Sequence, residues 1–206
     1  FSPTYDPWRQ RIALLPDSDL LKCIARGEAS VVTDHISHFD ATGIQLKSGE
    51  HLEADIIISA TGFNLNVLGD IGLEIDGNPL DVADSGAYRG ALISGVPNMA
   101  FVFGYLRYSW TLRADVVSKF VCRVLNKMDE AATSVVTPTL RPQDRDMAIH
   151  PFIRPEEFDP GYLQRGRHLM PRQGDQTPWV YDQDYIQERA AFEACDLDDD
   201  GALVYR

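Results

Sequence analysis

Leu112, Val116, Val117, Phe120, Val121, Val124, Leu125 and Met128 recur three and four positions apart with polar residues between them. That spacing predicts an amphipathic helix over residues 110–128, and Ser109 just ahead of it is a favoured N-cap residue. Two other stretches, Asp55-Ile-Ile-Ile-Ser-Ala-Thr-Gly62 and Asn98-Met-Ala-Phe-Val-Phe-Gly104, are continuous apolar runs bounded by turn residues. Such runs predict strands covered on both faces, here neighbours in one sheet of the parallel α/β kind. Upstream, Asp17 to Gly27 predicts a short helix with acidic residues in its first turn and a glycine at its end. After it, Ser30 to Thr33, Gly43 to Leu46 and His51-Leu52 alternate with turn residues and predict a three-strand meander. Asn64 to Gly90 is rich in Gly and Asp and predicts loops and short hairpins.

Beyond Ala131 the pattern changes. Pro138, Pro142, Pro151, Pro155, Pro160, Pro171 and Pro178 punctuate polar sequence, which excludes long helices and interior strands and predicts an irregular tail lying over the globular part. A last helix is expected from about Asp184 to Cys195. The expected division is therefore 1–16, an exit segment from a preceding domain; 17–130, a globular portion; and 131–206, the tail.

The 206 residues are 44% hydrophobic and 10% aromatic, enough to bury a sizeable core. A formal charge of −12 repels phosphate backbones and anionic lipid heads, which removes the electrostatic basis for a nucleic-acid or membrane-surface partner. With no long apolar segment and no leader-like start, a cytoplasmic location is expected. Cys23, Cys122 and Cys195 are odd in number and far apart, which fits reduced thiols. The five histidines form no i, i+4 pair, so no metal site is expected. Asp196-x-Asp-x-Asp-Gly201 resembles half of a calcium loop, but the glutamate such a loop needs would fall after Arg206; an acidic turn is the simpler reading.

Ala54-Asp-Ile-Ile-Ile-Ser-Ala-Thr-Gly-Phe-Asn64 is the sharpest candidate for chemistry. Ala60 and Gly62 carry so little bulk that backbone can approach a flat cofactor, although small residues also end many strands that bind nothing. In the flavoproteins with two dinucleotide-binding domains, an Asp, then four residues, then Ala-Thr-Gly-aromatic resembles a signature of the FAD domain. Gly95-Val-Pro-Asn-Met-Ala-Phe-Val-Phe-Gly-Tyr105 and Tyr108-Ser-Trp-Thr-Leu-Arg-Ala-Asp115 are similar to the closing strand and flavin-facing helix of the same group. With Tyr5-Asp-Pro-Trp-Arg-Gln-Arg11, Ala29-Ser-Val-Val-Thr-Asp-His35, Pro160-Gly-Tyr162 and Gln176-Thr-Pro-Trp179, the likeness covers essentially the whole chain. The chain thus resembles the class B flavoprotein monooxygenases, which include the Baeyer-Villiger and flavin-containing enzymes, and among them the ethionamide-activating monooxygenases.

That resemblance implies the C-terminal part of a Rossmann-like FAD-binding domain, with central parallel strands, a three-strand meander and an irregular tail. It implies FAD and NADPH as cofactors of a parent enzyme, and capture of dioxygen by reduced flavin as a C4a-peroxide. One oxygen then enters a ketone, or passes to the sulfur or nitrogen of a sulfide or amine. Ala60, Thr61, Gly62 and Phe63 would lie against the flavin. Tyr105 and Trp110 would wall its pocket, and the N–H groups of Ser109, Trp110, Thr111 and Leu112 would face its ring, where a helix N-terminus stabilises negative charge. Arg11 corresponds to an arginine that holds the nicotinamide, but Gln10 stands where the usual pattern has lysine, which leaves Arg9 as a competitor.

No Gly-x-Gly-x-x-Gly occurs, and the chain opens on Phe1 rather than Met. Both lead to the expectation of a piece of a longer enzyme, inactive by itself and prone to self-association through an uncovered apolar cleft. The alternatives are a piece of an N- or S-oxygenating enzyme or a pyridine-nucleotide reductase of the same architecture, and a stand-alone, non-catalytic interaction module.

Overall fold

The computed structural model describes residues 5, 6, 8–198 and 201–206. The chain separates into two compact units, residues 1–63 and 64–206.

In the first unit, α1 (Asp19–Ala25) follows a 3-10 turn at Pro16–Ser18. Strands β1 (Ile36–Phe39), β2 (Gly43–Leu46) and β3 (His51–Glu53) form the expected antiparallel meander in the order β1-β2-β3. Its first strand begins at Ile36, not at Ser30; Val31 and Val32 are exposed and outside the sheet. The β1–β2 turn is tied by Asp40, whose carboxylate accepts from the backbone N–H groups of Thr42 and Gly43, a turn side chain acting as backbone acceptor.

The run at 55–60 is not a strand. Ile56 and Ile58 are 81% and 86% exposed, and no ladder partner stands beside the run among the described residues. A segment built to be covered on both faces needs a strand on each side and layers above and below. The expected parallel strands are therefore corrected: among the described residues every named strand pair is antiparallel.

The second unit opens with the hairpin β4 (Leu73–Ile75) and β5 (Asn78–Leu80), joined by Asp76-Gly77, and continues with β6 (Ala87–Tyr88) and β7 (Leu92–Ile93). Residues 98–104 form no strand either: they start in a turn, with Asn98 at φ +54°, make one bridge from Ala100 to Leu92, and alternate in burial from Phe101 to Phe103. Phe101 and Phe103 turn inward while Val102 is exposed, so this run is covered on one face only. Helix α2 (Trp110–Glu130) matches the periodicity: Val116, Val117, Phe120, Val124 and Met128 are buried along one stripe.

The tail contributes core residues as well as covering. Strand β8 (Val136–Pro138) pairs antiparallel with the C-terminal β11 (Leu203–Tyr205), and β9 (His150–Pro151) with β10 (Arg172–Gln173). Short helix α3 (Gly161–Gly166) lies between β9 and β10, and α4 (Tyr185–Glu193) is capped by Asp184, which accepts from the N–H groups of Ile186 and Gln187. Val136, Met147, Trp179, Phe192 and Leu203 share one cluster with Tyr88, Leu92 and the α2 stripe. A second cluster joins Leu106 to Phe152, Phe158, Leu163, Met170 and Tyr181, with the Phe152 and Tyr181 rings stacked at 4.5 Å. At roughly 1.5–3 kcal/mol for each large apolar side chain fully buried, these contacts make the tail part of what holds α2 in place. The prolines still leave their mark, since the tail's strands are two or three residues long.

Among the described residues, no helix is long and apolar enough to cross a membrane, and no group of three or more His, Cys, Asp or Glu is placed to hold a metal. The three cysteines are free thiols. Asp199 and Asp200 of the acidic turn, and Phe1 to Thr4 and Pro7 of the exit segment, lie outside the described residues.

Candidate functional site

Helix α2 begins with open N–H groups. Ser109 occupies the N-cap position with extended backbone (φ −64°, ψ 135°), but its hydroxyl does not cap the helix; it bonds the Thr111 hydroxyl at 2.8 Å. Ser109, Trp110 and Thr111 are exposed and Leu112 is half-buried; the Leu112 N–H donates to the Ser109 carbonyl at 3.2 Å, which leaves the N–H groups of Trp110 and Thr111 as the first-turn donors that can meet an acceptor from outside. A helix of 21 residues presents about half a positive charge at this end.

Trp110 anchors the corner. Its ring packs 5.0 Å from Phe103 and covers Gly104, where an added Cβ would stand only 2.2 Å from the indole. With Leu65, Val67, Ile93, Phe101 and Met170 it lines an apolar groove of about 320 Å³. The segment leading into α2 also lines a polar cleft of about 610 Å³, through Arg107 and Tyr108 together with Arg154, Glu157 and Asp182.

Tyr105, expected as a pocket wall, is instead fully buried, and its hydroxyl donates a short hydrogen bond to Glu188. Burial first, then the Glu188 carboxylate, push the Tyr105 hydroxyl far above its usual range, so it stays a donor. Glu188 in turn receives Arg113 at 3.0–3.2 Å, from both Nε and Nη2. Burial raises the Glu188 carboxyl above the ordinary carboxylate range, while Arg113 beside it pulls the other way.

Arg113, Glu188 and Tyr181 were missed in the sequence although a signal existed. Arg113 stands one turn before Val116 and Val117, on the buried stripe of an amphipathic helix where a charge has no place unless it is paired. Glu188 stands likewise one turn before Phe192 on α4.

The remaining expected residues belong to the first unit. Ala60, Thr61, Gly62 and Phe63 are all exposed and outside any strand, and Phe63 is 67% exposed. Arg9 and Arg11 are exposed in the segment before α1. The groups that the structure does bring together are thus Ser109 to Leu112, Trp110 and the buried Tyr105–Glu188–Arg113 chain.

No family model and no solved structure matches the chain. Curated relatives do. It is 46% identical over 201 residues, 98% of its length, to the FAD-containing monooxygenase EthA of Mycobacterium tuberculosis. It is 43% identical over 199 residues to the probable FAD-binding monooxygenase AlmA of Acinetobacter baylyi, and 39% identical over 205 residues to the putative FAD-containing monooxygenase MymA of M. tuberculosis. The chain spans 40%, 39% and 40% of the length of these three relatives. Over its whole length, then, the chain is homologous to proteins named FAD-containing or FAD-binding monooxygenases, and it spans about two fifths of their length.

Proposed function

We propose that the chain is the C-terminal portion of an FAD- and NADPH-dependent monooxygenase of the cytosol that places one oxygen atom of dioxygen into a ketone or onto the sulfur or nitrogen of a small substrate. The observation that carries this reading is the 39–46% identity, over the whole chain, to relatives named for FAD and monooxygenation. The residues present fit the ring end of a flavin. The uncapped start of α2 suits an acceptor that gains negative charge on reduction, and the half-exposed Trp110 with its apolar groove suits a flat aromatic ring. In the second unit Trp110 and Thr111 would offer N–H donors; in the first, Ala60 to Phe63 present backbone of little bulk.

The chemistry supplied by the cofactors is electron transfer from NADPH through the flavin to dioxygen. The chain's own share is electrostatic: open helix donors hold negative charge, and apolar side chains around Trp110 keep water from it. Arg11 would hold the nicotinamide, because a guanidinium stays charged at any working pH and presents donors in a planar fork. An arginine in the segment before α1 favours a monooxygenase over a reductase of the same architecture, which would not need one. In the longest polypeptide that contains this chain, Arg11→Met is expected to cut NADPH-dependent turnover of a test ketone by about 100-fold or more, while Arg9→Met changes it less than threefold. The opposite ranking would assign the role to Arg9, and equal turnover by all three proteins would remove the arginine from the reading.

A further inference from the structure

Arg113 is fully buried, and the reading above gives it no task. Its guanidinium donates from Nη1 to the carbonyls of Gly90 at 3.1 Å and Phe103 at 2.9 Å, and from Nη2 to the carbonyl of Arg89 at 2.9 Å. Nε and Nη2 also grip Glu188. The guanidinium lies 4.5 Å over the Tyr181 ring, whose hydroxyl donates to the Gly104 carbonyl at 2.7 Å, and Tyr105 donates to Glu188. Residues 103, 104 and 105 are therefore each held by this one network.

Gly90 completes it. Its φ is +57°, and a Cβ there would stand 2.9 Å from Arg113 Nη2 and 2.6 Å from the Tyr181 ring, so only glycine lets the guanidinium reach the turn. A buried ion pair is seldom the cheapest way to join two helices, since well-packed apolar residues of like volume often do as well or better. What a fork with fixed donors adds is direction. The parts directed here are the 103–105 segment and the first turn of α2, which between them hold Gly104, Trp110 and the first-turn donors of Trp110 and Thr111.

We propose that Arg113 is a positioning residue, which together with Glu188 sets the aim of the α2 N-terminus and so tunes the affinity and reduction potential of the flavin facing it. This rests on the flavin reading of α2. The test uses the longest polypeptide that contains the chain, loaded with FAD, and compares Arg113→Lys and the double variant Arg113→Met with Glu188→Met. Dissociation constants for FAD, midpoint potentials and thermal unfolding are measured on each.

Lysine keeps the charge beside Glu188 but lacks the fork, so it is expected to restore most of the thermal stability and yet bind FAD at least about tenfold more weakly, with a shifted potential. The apolar pair is expected to fold and to show the same losses. Variants that fold and bind FAD with unchanged affinity and potential overturn the positioning role while leaving the flavin reading intact. Absence of FAD from the unsubstituted polypeptide overturns both. If the double variant does not fold, the lysine variant alone decides.

Discussion

At the residue scale, buried charges in this protein are spent on fixing geometry. Asp144 is fully enclosed and accepts from the Arg141 backbone N–H, Nε and Nη2 and from the Trp179 indole at 2.8–2.9 Å. The Arg141 bonds hold its carboxyl down to about 2. A folded-state value below the unfolded one, near 3.9, means stability that is fully present above about pH 4 and lost as pH falls from there toward 2. Urea midpoints of the chain measured across that window should fall as acid is added, and Asp144→Asn should flatten this slope while lowering the midpoint at neutral pH. A slope of equal size in the variant would place the acid sensitivity elsewhere. The single residues of chemical interest were only half legible in the sequence. Ser109 and Trp110 announce a helix start, but that Ser109 would leave the backbone uncapped and turn to Thr111 depends on hydroxyl orientation, which no local pattern encodes. Arg113 was visible as a charge on an apolar stripe; its partner lies 75 residues away, and sequence alone does not supply such a pairing.

Among the elements, helix α2 follows its 3.6-residue period from end to end, because one stripe of Val, Phe and Met is all it needs to dock. The meander was legible for a similar reason: short strands with turn residues between them satisfy one another locally. The apolar runs at 55–60 and 98–104 were misread because their pattern reports coverage from outside the run, and coverage on both faces requires layers that no described residue provides. In the tail the prolines rule out long elements but not burial, and Trp179, Phe152 and Leu203 lie in the core. At the junction between the 98–104 segment and α2, the Trp110 ring packs directly on Gly104. Gly104→Ala would drive a methyl into the Trp110 indole and is expected to cost about 1–3 kcal/mol in chemical denaturation, with Trp110 displaced toward solvent. Unchanged stability and unchanged tryptophan emission would show that the ring is free to move and does not anchor the helix start.

On the scale of the whole molecule, the two units differ in what they bury. Residues 64–206 enclose two apolar clusters, whereas in residues 1–63 Leu46 is the one large apolar side chain that is buried among the described residues. Ile56, Ile58 and Phe63 present apolar surface of the kind that other protein normally covers. In solution the 206-residue chain is expected to self-associate through this surface, seen as a rise in sedimentation coefficient with concentration, and Ile56→Lys with Ile58→Lys should suppress it; a monomer at all concentrations would mean that the exposed run is silent.

On the reading proposed above, the chain would meet the ring end of a flavin; its sequence has no Gly-x-Gly-x-x-Gly turn of the sort that grips a dinucleotide diphosphate, and several charge-assisted hydrogen bonds at roughly 1.5–3 kcal/mol each go with that turn. The most direct measurement is therefore flavin absorbance after excess FAD is added and removed by desalting, on residues 1–206 and on the longest polypeptide that contains them. Stoichiometric flavin retained by the longer polypeptide and none by residues 1–206 is the predicted result; stoichiometric flavin on the 206-residue chain, or none on the longer one, would contradict it.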